Sequence, residues 1–228
     1  KHRKLQLCNF LGSVGEKKLP AYASLWRYED AEAVQDRCQY AKNLGYKYIK
    51  LHEVFTSEVK AARNILGDDI PIMVDTNCPW TKDEARQMLN SWEEYSLYWV
   101  EEPINPPEDF ESLSNLRADT FIPIAAGENA CTSFEFKKMF DAEAVDYAQP
   151  SVTKVGGITE FKKINHLADT YGVQVMPHSP YFGPGFLATL HLAQSMPNPG
   201  LLERFFIDFE AYLYPKEIFT PQDAFFIA

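Results

Sequence analysis

Three apolar runs in this chain stop abruptly on acids. Ile70-Pro71-Ile72-Met73-Val74 leads into Asp75, Leu97-Tyr98-Trp99-Val100 into Glu101 and Glu102, and Phe121-Ile122-Pro123-Ile124-Ala125-Ala126-Gly127 into Glu128. Short continuous apolar runs of this kind predict strands buried on both faces, as in a parallel sheet. Pro103 ends the second run, because proline offers no backbone donor to a sheet. Tyr46 to His52 alternates like a further strand. Pro20–Ser24, Ala144–Gln149, Val173–His178 and Gly200–Arg204 complete the set. Between the strands, apolar residues recur at helical spacing. One such segment starts at Asp30 and stops before Gly45, and the others cover about 57–66, 81 onward, 110–116, 132–140, 157–171 and 183–195. Asp30 and the Thr81-Lys82-Asp83-Glu84 box are start signals, and Gly45 and Gly172 are stop signals. Eight strands alternating with seven helices predict an α/β fold, a (β/α)7β TIM-type barrel of parallel strands with outer helices. An open doubly wound sheet is the alternative, since alternation alone does not fix closure. No GxGxxG or GxxxxGK follows a strand, so nucleotide binding has no support.

Residues 1–19, basic and then Gly-containing and polar, predict a linker from a preceding segment, and the chain starts on Lys1 rather than methionine. Residues 20–204 are the predicted barrel. Residues 205–228, with Phe205, Phe206, Phe209, Tyr212 and Tyr214, are too apolar for a free end. They are expected to pack back on the barrel, on a further domain or on a partner subunit of a homo-oligomer.

A length of 228 residues and 46% hydrophobic content suit one barrel domain. The net charge of −10 argues against nucleic acid as a partner, and no apolar run approaches the roughly 18 residues of a membrane helix. Cys8, Cys38, Cys78 and Cys131 have no CxxC or metal-ligand spacing and read as reduced thiols of a cytoplasmic protein.

Strand ends carry Lys50 and His52, Asp75 and Asn77, Glu101, Glu128, Gln149 to Lys154, His178 and Glu203. One reading is that each acid merely caps the helix that follows it. The other is that Asp75, Glu101 and Glu128 converge at one rim as hard oxygen ligands, which favours Mg2+ over Zn2+. Such a cation, with Lys and His beside it, suits removal of a proton next to a carboxylate. Pairing a Lys or His base with Mg2+ is itself an established enolase-type pattern.

The ordered motifs Lys50-Leu51-His52, Val74-Asp75-Thr76-Asn77, Val100-Glu101-Glu102-Pro103, Gly127-Glu128-Asn129, Gln149 to Gly157, Pro177-His178-Ser179-Pro180 and Leu202-Glu203-Arg204 resemble the barrel domain of the enolase superfamily. The mandelate racemase/muconate lactonizing enzyme group is the branch they resemble. The resemblance implies Asp75, Glu101 and Glu128 as Mg2+ ligands and Glu203 as the acid that contacts the substrate carboxylate. It makes Lys50 and His52 the pair of the second-strand Lys-x-Lys motif, and His178 the histidine of a His-Asp dyad. Lys154 matches a catalytic lysine of the muconate lactonizing branch. Two departures stand out: His52 replaces the second lysine, and Ser151 replaces the dyad aspartate. His52 is then the leading base, His178 or Lys154 is the acid assisting loss of hydroxide, and Asn77 and Ser151 face the substrate, with Ser151 a weaker hydrogen-bond partner for His178. Tyr181 and Phe182 are candidates to line the pocket.

The resemblance also implies an N-terminal capping domain, absent from this chain, to which residues 1–19 would link. The expected activity is dehydration of a hydroxy or sugar acid, a small-molecule carboxylate. A racemase, epimerase or cycloisomerase is the near alternative, and a metal-binding barrel without catalysis is the reading that Ser151 motivates.

Overall fold

In the computed structural model, which describes residues 5–13, 15, 17–221 and 225–227, eight parallel strands curl into one sheet. They are β1 (Lys18–Ser24), β2 (Ile49–Leu51), β3 (Ile72–Asp75), β4 (Trp99–Glu101), β5 (Ile124–Ala126), β6 (Tyr147–Ala148), β7 (Gln174–Val175) and β8 (Leu202–Phe205), in the order 7-6-5-4-3-2-1-8. A short helix, α1 (Leu7–Phe10), precedes them. Between the strands run α2 (Ala31–Asn43), α3 (Thr56–Leu66), α4 (Lys82–Trp92), α5 (Phe110–Ala118), α6 (Ser133–Asp141), α7 (Ile158–Tyr171) and α8 (Pro184–Ser195). This is the (β/α)7β barrel arrangement.

The backbone ladder among the described residues runs from β7 round to β8, and the seam between those two strands is closed by other contacts. Ser179 Oγ donates to Glu203 O at 3.1 Å, and Leu201 N donates to Met176 Sδ at 3.2 Å. Gly200 makes the close approach possible: a Cβ there would lie 2.1 Å from Val175 O.

Helix starts dispose of the capping alternative. Thr81 caps α4 in a full capping box with Glu84, Asp109 caps α5, and Thr132 caps α6. The acids at the tips of β3, β4 and β5 cap nothing and are left for the barrel mouth.

Strand periodicity then decides what points inward, since residues two apart share a face. The interior is filled by Tyr22, Met73, Trp99, Ala125, Met176 and Leu201, with Tyr48, Tyr98 and Tyr147 packed against them. Two residues beyond Tyr22, Tyr48, Met73, Trp99, Met176 and Leu201 come Ser24, Lys50, Asp75, Glu101, His178 and Glu203. One apolar floor therefore carries a ring of polar and charged groups. The opposite faces of the strands meet the helices in the main core, where Val74, Val100, Ile124 and Ala148 pack with Leu89, Trp92, Leu113, Phe136 and Ile164.

Parts of the segments expected as linker and tail (residues 1–4, 14, 16, 222–224 and 228) lie outside the described residues. Of the remainder, α1 packs on α8, and Lys17 Nζ donates to Met196 O at 2.6 Å. After β8 the chain returns to the start of β1, where β9 (Phe225–Ile227) pairs antiparallel with Lys18–Pro20. Phe219 and Phe226 are buried there with Phe186 and Leu190 of α8.

Candidate active site

The register places Asp75 opposite Glu101 and Lys50 opposite Met73, so β2, β3 and β4 deliver adjacent charges to one rim. Lys50 is wholly buried, and its Nζ lies 3.1 Å from Asp75 Oδ2, 3.0 Å from Glu101 Oε1 and 2.9 Å from Glu203 Oε1. Burial by itself would lower the lysine's pKa, but Glu101 and Glu203 beside it hold it well above the usual range. Glu203 has donors on both oxygens: Ser24 Oγ at 2.8 Å on Oε1 and Ser179 N at 3.1 Å on Oε2. Against the upward push of burial, the charges of Lys50 and His178 hold it down to about 2.

Glu101 behaves differently. Burial, then the negative charge of Asp75, push its carboxyl well above the ordinary range, with Glu203 and Glu128 adding to the effect; Lys50 opposes them. The rim therefore holds more buried carboxylate than one ammonium compensates, a setting suited to a small divalent cation.

Among the described residues, Glu101, Glu128 and His178 offer ligand atoms within 4.8 Å of one another. His178 Nδ1 lies 2.8 Å from Glu128 Oε2 and 3.5 Å from Glu203 Oε2. Lys154 Nζ reaches Glu128 Oε1 at 3.4 Å from the more exposed side. Asp75 sits on the same rim but is turned elsewhere. Its Oδ2 faces Lys50 and, at 3.2 Å, His52 Nε2, while its Oδ1 accepts from Asn77 N at 3.0 Å. Those partners, led by Lys50, hold Asp75 well below its usual range in spite of burial.

The second nitrogen of His52, Nδ1, lies 2.5 Å from Leu25 O. A carbonyl can only accept, so Nδ1 carries the hydrogen, and Nε2 is the nitrogen that faces the Asp75 carboxylate.

The residues singled out in the sequence thus fall into two kinds. Lys50, His52, Asp75, Glu101, Glu128, Lys154, His178 and Glu203 form one connected set. Asn77 stands at its edge in a left-handed turn at φ 56°, its Oδ1 accepting from Arg27 Nη2 at 3.2 Å. Ser151 departs from its expected place: its hydroxyl pairs with Thr153 and Tyr181 and leaves His178 to the carboxylates.

Three contributors went unread in the sequence. Arg27 donates to His52 O at 2.9 Å and Thr76 O at 3.1 Å, tying the tips of β2 and β3, and nothing in its local sequence marks it. Glu102, buried, accepts from Asn129 Nδ2 and, at 3.1 Å, from Cys78 Sγ; the Glu-Glu doublet was the available signal. Tyr22 lies beneath Lys50, whose Nζ is 5.7 Å from the ring centroid. A cavity of about 810 Å³ lined by Tyr40, Tyr46, Arg204 and Phe206 includes none of the rim residues, so chemistry rather than size picks out the site.

The barrel mouth is rich in acids and holds a buried lysine and two histidines, and comparison with known proteins gives the fold a family. The model described as enolase C-terminal domain-like matches residues 32–227, and the chain belongs to that family. It is 32% identical over 209 residues to the arabinonate dehydratase of Saccharolobus solfataricus, covering 87% of this chain and 55% of that protein. The chain thus spans about half the length of that relative. A solved enolase superfamily member from Polaromonas sp. JS666 superposes with a TM-score of 0.86 at 31% identity, covering 98% of this chain and 61% of that one. The L-talarate dehydratase from the same organism, complexed with Mg and L-glucarate, superposes with a TM-score of 0.75 at 28% identity, over 87% of this chain and 56% of that one. No helix among the described residues is long and apolar enough to cross a membrane.

Proposed function

We propose that this rim binds Mg2+ through Asp75, Glu101 and Glu128 and removes the proton alpha to the carboxylate of a small hydroxy or sugar acid, with loss of water. The observation that carries the reading is the uncompensated carboxylate charge around Glu101, beside a histidine whose Nε2 reaches the same acids at Asp75. The donor set fits a hard cation: the acids supply oxygen, and no cysteine lies among them. Bound there, Mg2+ supplies positive charge to the substrate's carboxylate and so lowers the cost of making its alpha carbon anionic.

The protein groups do the rest. His52 takes the alpha proton on Nε2, the nitrogen that stands 3.2 Å from Asp75 Oδ2, so the imidazolium forms beside that carboxylate while Leu25 O holds the Nδ1 hydrogen. Arg27 holds the carbonyl of His52, and so the base, in place. Lys50 has no exposed surface and acts as a fixed charge that keeps Asp75, Glu101 and Glu203 together. Glu203, with donors on both oxygens, orders Ser179 and the seam beside His178. His178 delivers the proton that turns the leaving hydroxyl into water. Lys154, the most exposed cation of the set, meets the anionic end of the substrate. Similarity to the arabinonate and L-talarate dehydratases supports dehydration.

The test uses the full-length protein with Mg2+ and a panel of sugar acids in D2O, followed by mass spectrometry. Loss of one water supports the reading. Deuterium entering otherwise unchanged substrate replaces it with a racemase or epimerase, and neither outcome across a broad panel leaves a binding module.

A further inference from the structure

Ser151 is fully buried just beyond β6, and its hydroxyl meets two others, Thr153 Oγ1 at 2.9 Å and the phenol of Tyr181. Tyr181 is half-buried in the loop after β7, and its backbone N–H donates to Ser179 O at 2.7 Å. Its ring meets the imidazole of His178 in a T-shaped contact, with centroids 5.8 Å apart and planes at 77°. The first turn of α8 closes in from behind. A Cβ on Gly185 would lie 2.6 Å from Thr153 Cγ2 and 3.3 Å from Tyr181 Cδ2, so only a residue without a side chain lets the helix hold these two together. Tyr181 is therefore fixed through its backbone, its hydroxyl and its ring.

His178 has less to hold it. The terminal torsion of a histidine is broad, so an imidazole keeps one orientation only where its surroundings impose it. Glu128 Oε2 and Glu203 Oε2 stand 2.8 and 3.5 Å from Nδ1, so both acids meet the same end of the ring. The flank of the ring is restrained by Tyr181.

We propose that Tyr181 is a positioning residue for His178 and that Ser151 acts through it. The serine–phenol bond sets the ring, and the ring keeps the imidazole turned toward Glu128. Hydroxyls here do by a wall what a carboxylate would do by a direct bond. The role rests on the proposed reaction only in that His178 is its proton donor; the geometry of the imidazole can be read without turnover.

The experiment follows the His178 imidazole by ¹H–¹⁵N NMR in the ¹⁵N-labelled full chain, assigned with His178→Asn, beside steady-state kinetics. Tyr181→Leu is expected to move the His178 signals and lower kcat about tenfold, with KM changed less than about threefold. Tyr181→Phe and Ser151→Ala are each expected to give a smaller loss of about threefold. Together they should lose no more than either alone, because both delete the same bond. Thr153→Val keeps that bond and is expected to leave the His178 signals in place. Unmoved signals in folded Tyr181→Leu overturn the proposal, as do fully additive losses in Ser151→Ala/Tyr181→Phe. Tyr181→Phe, which retains the ring, carries the test where Tyr181→Leu does not fold. Where no acid is turned over, the imidazole signals alone decide, so failure of the reaction and failure of the positioning role are separate results.

Discussion

Lys50 reaches past β1 to Glu203: its Nζ, on β2, lies 2.9 Å from Glu203 Oε1, on β8, and both side chains are buried. The same ammonium touches Asp75 and Glu101, so one cation ties together the tips of three strands. Lys50→Met removes that charge and leaves three acids facing one another. Removing one partner of a buried charge network costs about 3–5 kcal/mol. Urea unfolding should show the midpoint falling with an unchanged m-value; a variant as stable as the parent would contradict the fixed-charge role.

Acid should weaken the same network with a definite sign. Glu203 titrates at about 2 when folded, against 4.5 ordinarily, because Lys50 and His178 favour its charged form over the opposing effect of burial. A carboxyl depressed by folding contributes stability that is complete above its unfolded pKa and is lost as pH falls toward the folded value. Glu101, raised by burial and by Asp75, works in the opposite sense, so the comparison must be made by difference. The stability gap between the parent and Glu203→Gln is expected to shrink as pH drops from 4.5 toward 2. A gap that stays constant over that window counts against the assignment.

His52→Asn keeps a polar side chain and removes the proton acceptor. General-base groups contribute roughly 100- to 10,000-fold to rate, and the loss in kcat is expected in that range. Magnesium affinity, measured by titration calorimetry, should change much less. Alpha-proton exchange persisting at the parental rate would transfer the base to another residue.

Glu128→Gln removes an oxygen of the proposed Mg2+ site while keeping shape. Even partners behind metal ligands cost 10- to 100-fold in affinity when removed, so a weakening of at least about 100-fold in Mg2+ binding is expected. Arg27→Lys leaves the metal donors untouched and should bind Mg2+ nearly as the parent does, with lower turnover because the carbonyl of His52 loses its anchor.

Gly200→Ala tests the seam. The added Cβ would stand 2.1 Å from Val175 O, backbone that cannot swing aside. Overpacking of this kind costs about 1–3 kcal/mol, and a fall in the thermal midpoint is the expected result.

Asp75, Glu101 and Glu128 could be read from the chain because an apolar run that ends in an acid says where a buried strand surfaces. Thr81 and Asp30 could be read as helix starts because capping is a local bond. The strands themselves came out shorter than the apolar runs suggest: β3 covers Ile72–Asp75 rather than starting at Ile70. Asn77 and Cys78 take left-handed backbone conformations that leave the sheet. The link between Ser151 and Tyr181 could not be read, since the two lie in different strand-to-helix loops. Nor could the role of Arg27, whose acceptors are the carbonyls of His52 and Thr76, just beyond β2 and β3, and the side chain of Asn77.

Order and spacing along the chain were enough to determine alternating strands and helices and the delivery of acids to the strand tips, because both follow from local hydrophobic period and backbone chemistry. Three-dimensional packing alone decided that a lysine would be wholly buried among those acids, that Asp75 would turn to Lys50 and His52, and that Ser151 would bond a tyrosine. Each of these depends on which side chains from distant strands arrive at the same depth, and depth is set by the stagger and closure of the sheet.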